Sequence, residues 1–196
     1  MNCYKDISAV VLAGGKNSRF QGKFKSLALL HSQPLIIHQL NTLKKIFKRI
    51  IIISNTKNLL REYIDMPVYK DIYKEKGPLG GIYTGLFYAN TKYAFIFGGD
   101  MPFLSEELIR EQINLLNTHK PEVIVPQTIK GIEPLHSIYE TQLHKRLQKM
   151  LSEPGIQSIR NLFAIANTYY WQTDDQNAFI NINTPEELEY YNTVEY

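Results

Sequence analysis

Cysteine is nearly absent from this chain: Cys3 is the only one. That excludes an internal disulfide and a cysteine-held metal cluster, and it suits a reducing compartment. Long apolar runs are also missing. No segment approaches the roughly 20 apolar residues that a membrane helix needs. Residues 1–6 carry no secretory pattern, because the apolar run behind them ends at a glycine pair after a few residues. The expectation is a cytoplasmic protein with no membrane partner. Excess charge is modest: 22 Lys and Arg against 19 Asp and Glu leave +3 at pH 7. The lysines crowd into residues 16–25 and 44–48, without the broad basic face and interleaved aromatics of a nucleic-acid binder. An anionic small molecule is therefore the expected ligand, and nucleic acid is not. The five histidines show no metal-ligand spacing, and no serine, histidine and acid set suggests a covalent nucleophile.

Two common phosphate motifs are absent as well. A P-loop needs Gly-x-x-x-x-Gly-Lys-Ser/Thr. Here Asn17 follows Gly15-Lys16, and Val10 stands where the first glycine belongs. Gly14-Gly15 does not have the Gly-x-Gly-x-x-Gly spacing of a dinucleotide fold. What is present is a short β-branched run, Ile7–Leu12, that breaks into a loop with Gly14, Gly15 and Gly22 and with Lys16, Arg19, Lys23 and Lys25. A buried strand followed by glycines and cations is a phosphate cradle: backbone N–H groups converge on anionic oxygens while the cations neutralise them. A nucleoside triphosphate is the simplest ligand.

The 196 residues are 44% apolar and 21% charged, which fits one domain, 1–196, with a sizeable core. Strand-like and helix-like segments alternate. Strands are expected at Ile7–Leu12, Ile50–Ser54, Val68–Lys70, Tyr93–Phe97, Val123–Pro126, Tyr169–Gln172 and Ala178–Ile182. Helices are expected over 35–47, 57–64, 78–89, the stretch capped by Ser105, most of 136–151, 155–166, and a last one capped by Thr184 with Pro185 first and Glu187 closing a capping box. Residues 126–135 read as an active-site loop. Near-continuous apolar strands in such alternation imply an α/β three-layer sandwich, with a mostly parallel twisted sheet covered on both faces.

Ligands collect at the carboxyl ends of strands in open α/β sheets. Four polar features fall at such ends: the glycine loop, Asn55, Asp71 and Asp100. One parallel sheet would gather them along one rim. Asp100 suits a magnesium ligand, since a hard divalent ion takes one or two carboxylates plus phosphates and water. Asn183, less readily Asn181, can supply a second oxygen. An aspartate before Met101-Pro102 is also an ordinary turn former, as is Asn55 after a strand. His38 and His144 fall on helices as surface or packing residues, and His136 is a candidate to reach an acceptor.

Leu12-Ala13-Gly14-Gly15, Ser18-Arg19, Gly22 and Lys25 resemble the signature of sugar-nucleotide-type nucleotidyltransferases. Asp71, Gly77-Pro78-Leu79-Gly80-Gly81-Ile82, Gly99-Asp100-Met101-Pro102-Phe103 and Asn181-Ile182-Asn183-Thr184-Pro185 follow in the right order. Within that superfamily the chain is similar to the bacterial molybdenum cofactor guanylyltransferases. It departs from them at Phe20-Gln21, usually Met-Gly; at Phe24, usually an acid; and at Gly99, usually Cys or another small residue. The resemblance implies a Rossmann-like, glycosyltransferase-A-like nucleotidyltransferase fold. It implies Mg²⁺-dependent transfer of GMP from GTP to molybdopterin carrying molybdenum, and contact with proteins that insert or deliver that cofactor. By the same resemblance, Leu12, Ala13, Gly14, Gly15, Lys25, Asn55, Asp71 and Asp100 bind GTP, with Asp71 at the base or ribose. Arg19, Lys25 and Asp100 act on the triphosphate, and Asp100 with Asn183 holds the metal. Rival readings are a cytidylyltransferase of molybdopterin or of a small phosphorylated alcohol, a non-catalytic nucleotide-binding regulator, and a flavodoxin-like binding module. The last gives no reason for the paired Arg19 and Lys25.

Overall fold

The computed structural model describes residues 3–14, 20, 24–153 and 158–194. Strand β1 (Tyr4–Leu12) is followed by a 3-10 turn (Lys25–Leu27) and a small hairpin, β2 (Leu29–Leu30) and β3 (Gln33–Pro34). Then come α1 (Leu35–Ile46), β4 (Phe47–Ile53), α2 (Lys57–Leu60), β5 (Val68–Tyr69), α3 (Gly77–Tyr88), β6 (Tyr93–Gly98) and α4 (Glu106–His119). The second half runs β7 (Val123–Thr128), β8 (Gly131–Ile132), β9 (His136–Glu140), α5 (His144–Ser152), α6 (Ile159–Ile165), β10 (Thr168–Gln172) and α7 (Pro185–Thr193).

The main sheet has eight strands in the order β10-β7-β9-β6-β1-β4-β5, with β8 attached to β7. β1 lies parallel to both β4 and β6. β5 extends the parallel run beyond β4, and β10 pairs parallel with β7. β9 is inserted antiparallel between β6 and β7, and the short β8 pairs antiparallel with β7. The chain first steps outward from β1 to β4 and β5, then returns to place β6 on the other side of β1. That reversal leaves a crevice at the carboxyl ends of β1 and β6, where open α/β sheets bind ligands.

Period-two alternation sorts the strand residues to the two faces. Ala9 and Val11 of β1, Ile50 and Ile52 of β4, and Phe95 and Phe97 of β6 pack with Ile36, Leu40 and Leu43 of α1 and Ile109 and Ile113 of α4. Val10, Ile51, Ile53, Ala94 and Ile96 face the other way, onto Leu79, Ile82 and Leu86 of α3, Leu147 of α5 and Leu162 of α6. Three layers result, as the sequence implies. No described helix is long and apolar enough to cross a membrane.

Four segments differ from the sequence reading. Residues 136–151 do not begin as a helix: His136–Glu140 is a strand, Thr141–Leu143 is a 3-10 turn, and the α-helix runs over 144–152. His136, Ser137, Ile138 and Tyr139 are all buried, so a strand covered on both faces loses the alternation that would mark it. Ala178–Ile182 forms no strand. Asn177–Phe179 is a 3-10 turn, nucleated by Asp175, whose Oδ1 accepts from the N–H groups of Asn177 and Ala178. The loop 126–135 contains a tight hairpin, with Gln127 opposite Ile132 and Thr128 opposite Gly131. The helix expected over 57–64 is confined to Lys57–Leu60.

Candidate active site

The crevice is built where three strand ends meet. Ala13 N donates to Ile53 O at 2.9 Å, and Gly99 N donates to Leu12 O at 3.0 Å, so the exits of β4 and β6 are stitched to that of β1. Gly99 is needed for this closeness: a Cβ there would stand 2.8 Å from both Ala13 Cα and Leu12 O. Any side chain there would force the strand exits to move apart.

On one side of the crevice, Lys25 leaves the 3-10 turn and its Nζ donates to Asp100 Oδ2 at 2.6 Å and to Asn183 Oδ1 at 2.7 Å. These three groups come from positions separated by 75 and 158 residues. Their side chains are partly buried, with Lys25 and Asp100 20% and 25% exposed. Such an ion pair is less screened than one in open solvent. Asn183 is held by its neighbours: Ile182 N donates to Asp100 O at 2.9 Å, and Asn183 N donates to Glu187 Oε2 at 2.5 Å. Glu187 also receives Thr184 N, while Thr184 Oγ1 receives Glu187 N, which completes the expected capping box of α7.

On the other side, Asn55 and Asp71 pair reciprocally across the ends of β4 and β5. Asn55 Nδ2 donates to Asp71 Oδ2 at 2.9 Å, and Asp71 N donates to Asn55 Oδ1 at 3.3 Å. Burial pushes the Asp71 carboxyl above its ordinary range, against the opposing effect of the Asn55 amide. Its Oδ1 is shielded and has no partner among the described residues. Gly14 lies beside this pair: a Cβ there would be 3.9 Å from Asp71 Oδ2.

Leu12, Ala13, Gly14, Lys25, Asn55, Asp71, Asp100 and Asn183 are thus drawn to one rim in two groups that flank the end of β1. Gly15 and Arg19, with Lys16, Gly22 and Lys23, lie outside the described residues. The Asn181 amide donates to Phe179 O at 3.1 Å. His38 Nε2 bonds Leu30 O at 2.8 Å, a packing role. His136 is not at the rim. It is fully buried, edge-on to Phe95, Phe97 and Phe179, with Nδ1 3.3 Å from Gln112 Oε1. Burial lowers its pKa to about 4, so it is neutral near pH 7.

Two features escape sequence reasoning. Phe20 and Phe24, which look like simple departures from a motif, line an apolar cavity of about 520 Å³ with Leu27, Ala28, Leu29, Pro185 and Leu188. Gln39 reads as one polar residue within the helical run of α1, yet it bonds the turn that bears Asp100. Among the described residues no group of three or more His, Cys, Asp or Glu could hold a metal.

Residues 9–169 match the family model described as a MobA-like NTP transferase domain. A protein from Natranaerobius thermophilus named "Probable molybdenum cofactor guanylyltransferase" is 34% identical over 193 residues, covering 94% of this chain and 94% of its own length. The molybdenum cofactor guanylyltransferase of Syntrophotalea carbinolica is 32% identical over 188 residues, with 93% and 89% covered. Among solved structures, the molybdopterin-guanine dinucleotide biosynthesis protein A of Archaeoglobus fulgidus superposes with a TM-score of 0.80, covering 95% of this chain and 97% of that one at 21% identity. That likeness is one of fold.

Proposed function

This chain belongs to the MobA-like NTP transferase family, and from that premise we propose that it is a nucleotidyltransferase moving GMP from GTP to the terminal phosphate of molybdopterin that carries molybdenum. An acceptor phosphate oxygen forms the new bond to the α-phosphorus of GTP as the bond to the bridging oxygen breaks, and pyrophosphate leaves with that electron pair. The acceptor is already an anion, so no strong general base is required. The observation that carries this reading is the meeting of Lys25, Asp100 and Asn183 at the end of β1, with Asn55 and Asp71 across the same rim. Positioning and charge compensation are what phosphoryl chemistry asks of a protein.

The donor set fits a hard divalent cation. Asp100 Oδ2 and Asn183 Oδ1 already converge on one cationic group, the Lys25 ammonium. Two oxygens of this kind, with phosphates and water completing the set, match the habit of magnesium. When bound, Mg²⁺ would neutralise charge on the phosphate oxygens. Asp100 and Asn183 would hold it, which requires Lys25 to exchange those two oxygens for phosphate oxygens. Backbone groups of Leu12–Gly15, with Arg19 and Lys25, would cradle the triphosphate and offset charge on the departing pyrophosphate. Asp71, with Oδ2 held by Asn55 and a shielded Oδ1 that has no partner among the described residues, is the acceptor we assign to the N–H edge of a guanine base. The single exposed Cys3 is in keeping with a reducing cytosol.

The test is to incubate the protein with molybdopterin, Mg²⁺ and each of the four NTPs while measuring pyrophosphate. Release with GTP is the expected result. Release with CTP alone would make the protein a cytidylyltransferase, and GTP binding without release would make it a regulator.

A further inference from the structure

Beneath the turn that carries Asp100 lies a buried amide. Gln39 of α1 is completely shielded from solvent. Its Nε2 donates to Gly98 O at 2.5 Å and to Met101 O at 2.9 Å. Those two carbonyls bracket Gly99 and Asp100, so one NH₂ group closes the turn from below. The remaining atom, Oε1, is buried without a partner among the described residues.

A buried, unsatisfied acceptor is unfavourable. The neighbouring inward positions of α1, Ile36, Leu40 and Leu43, are aliphatic and fully packed. A leucine or methionine at 39 would continue that face without an orphan oxygen. What such a residue cannot supply is a pair of donors aimed at two carbonyls of the same turn. The rest of the turn is tied through backbone groups, by Gly99 N to Leu12 O and by Ile182 N to Asp100 O. These ties fix the turn against β1 and the segment before Asn183, and Gln39 fixes it against α1.

We infer that Gln39 is a positioning residue for Asp100, holding the Gly98–Met101 turn so that the Asp100 carboxylate stays in register with Asn183 and with the cation they share. The inference rests on the proposed role of Asp100 and adds a residue to it. Polar groups that orient a ligating carboxylate without touching the metal commonly matter for affinity and rate.

The experiment compares the native protein with Gln39→Met, Gln39→Glu and Asp100→Asn. Mn²⁺ binding is followed by water-proton relaxation and turnover by pyrophosphate release, with thermal melting as a check of folding. Gln39→Met keeps the length of the side chain and removes both donors. It is expected to weaken Mn²⁺ binding and lower kcat by about tenfold or more, with KM for GTP at saturating metal changed by less than about twofold. Gln39→Glu regains one O–H donor only when protonated, so its kcat relative to native should rise as pH falls. A folded Gln39→Met with native Mn²⁺ affinity and kcat would overturn the inference. If Gln39→Met does not fold, the Gln39→Glu profile decides: a rising ratio supports the role, and a flat ratio overturns it. Native Mn²⁺ binding by Asp100→Asn would instead sink the reading of Asp100 itself.

Discussion

Two aspartates end two strands of one sheet, and their surroundings make them different reagents. Asp100 meets an ammonium that it shares with the amide oxygen of Asn183, a place built to balance positive charge. Asp71 meets a neutral amide and keeps one shielded oxygen without a partner among the described residues, while burial raises its pKa. Chain position alone makes the two residues look alike, since each follows a strand. The difference arises from what the fold brings opposite them: the Lys25 turn and the Asn183 segment on one side, and the end of β4 on the other. Under the proposed function, the carboxylate that faces a cation is the one assigned to metal and phosphate. The carboxylate that faces a neutral amide is, under the same proposal, the one assigned to the base.

Replacing each aspartate with asparagine separates these roles, and the largest effect falls on Asp100. Asp100→Asn should lower kcat at least about 100-fold, the scale seen when one preorganised electrostatic group is lost from a transition state. It should also abolish the dependence of rate on Mg²⁺ in the millimolar range. Asp71→Asn should leave kcat nearly unchanged and raise KM for GTP by roughly 10–100-fold, because a charge-assisted hydrogen bond to the base is weakened. It should narrow the preference for GTP over CTP by a similar factor. Steady-state kinetics with both nucleotides checks the pair. Equal effects on kcat from the two variants would erase the distinction.

Lys25 gives a finer comparison, because the ammonium occupies the oxygens assigned to the metal. Lys25→Met should bind Mn²⁺ several-fold more tightly than native in the absence of nucleotide, since a competing positive charge has gone. The same variant should bind GTP more weakly. Calorimetry with metal alone, and then with GTP and metal, measures both. Unchanged or weaker binding of metal alone would mean that Lys25 and the ion use different oxygens.

Much of this was legible in local chemistry. The β1 run, the Ser105 cap, the Thr184–Glu187 capping box and the acids at strand ends are signals carried by a few adjacent residues, and the structure bears out the elements they mark. What was not legible depends on neighbours distant in sequence. β9 is read as helix because both its faces are buried and an amphipathic helix follows at once. Ala178–Ile182 has the composition of a strand but no ladder to join. His136 looked available to a substrate because a histidine after a loop reads as polar, whereas the sheet seals it among phenyl rings. The role of Gln39 emerges only when α1 is laid under the end of β6.

His136 extends the comparison of ionisable groups from the rim to the interior, where the smallest effect at neutral pH is expected. The ring is neutral in the folded protein because burial lowers its pKa to about 4, against an ordinary value near 6.5. Between those values the unfolded chain binds more protons than the folded one, so stability rises with pH through that window and falls as pH drops from 6.5 towards 4. At pH 5 the loss from this one group is about 2 kcal/mol relative to pH 7, an order-of-magnitude figure that follows from 1.36 kcal/mol per pKa unit. His136→Phe should flatten that part of the curve, whatever it does to stability at pH 7, while KM for GTP stays native because the ring lies beneath the rim and does not reach it. Urea unfolding at pH 7, 6 and 5 measures the slope. A native slope in His136→Phe would place the acid sensitivity in the carboxylates instead, with Glu122, whose pKa is lowered chiefly by its hydrogen bond to Arg146, the first to test.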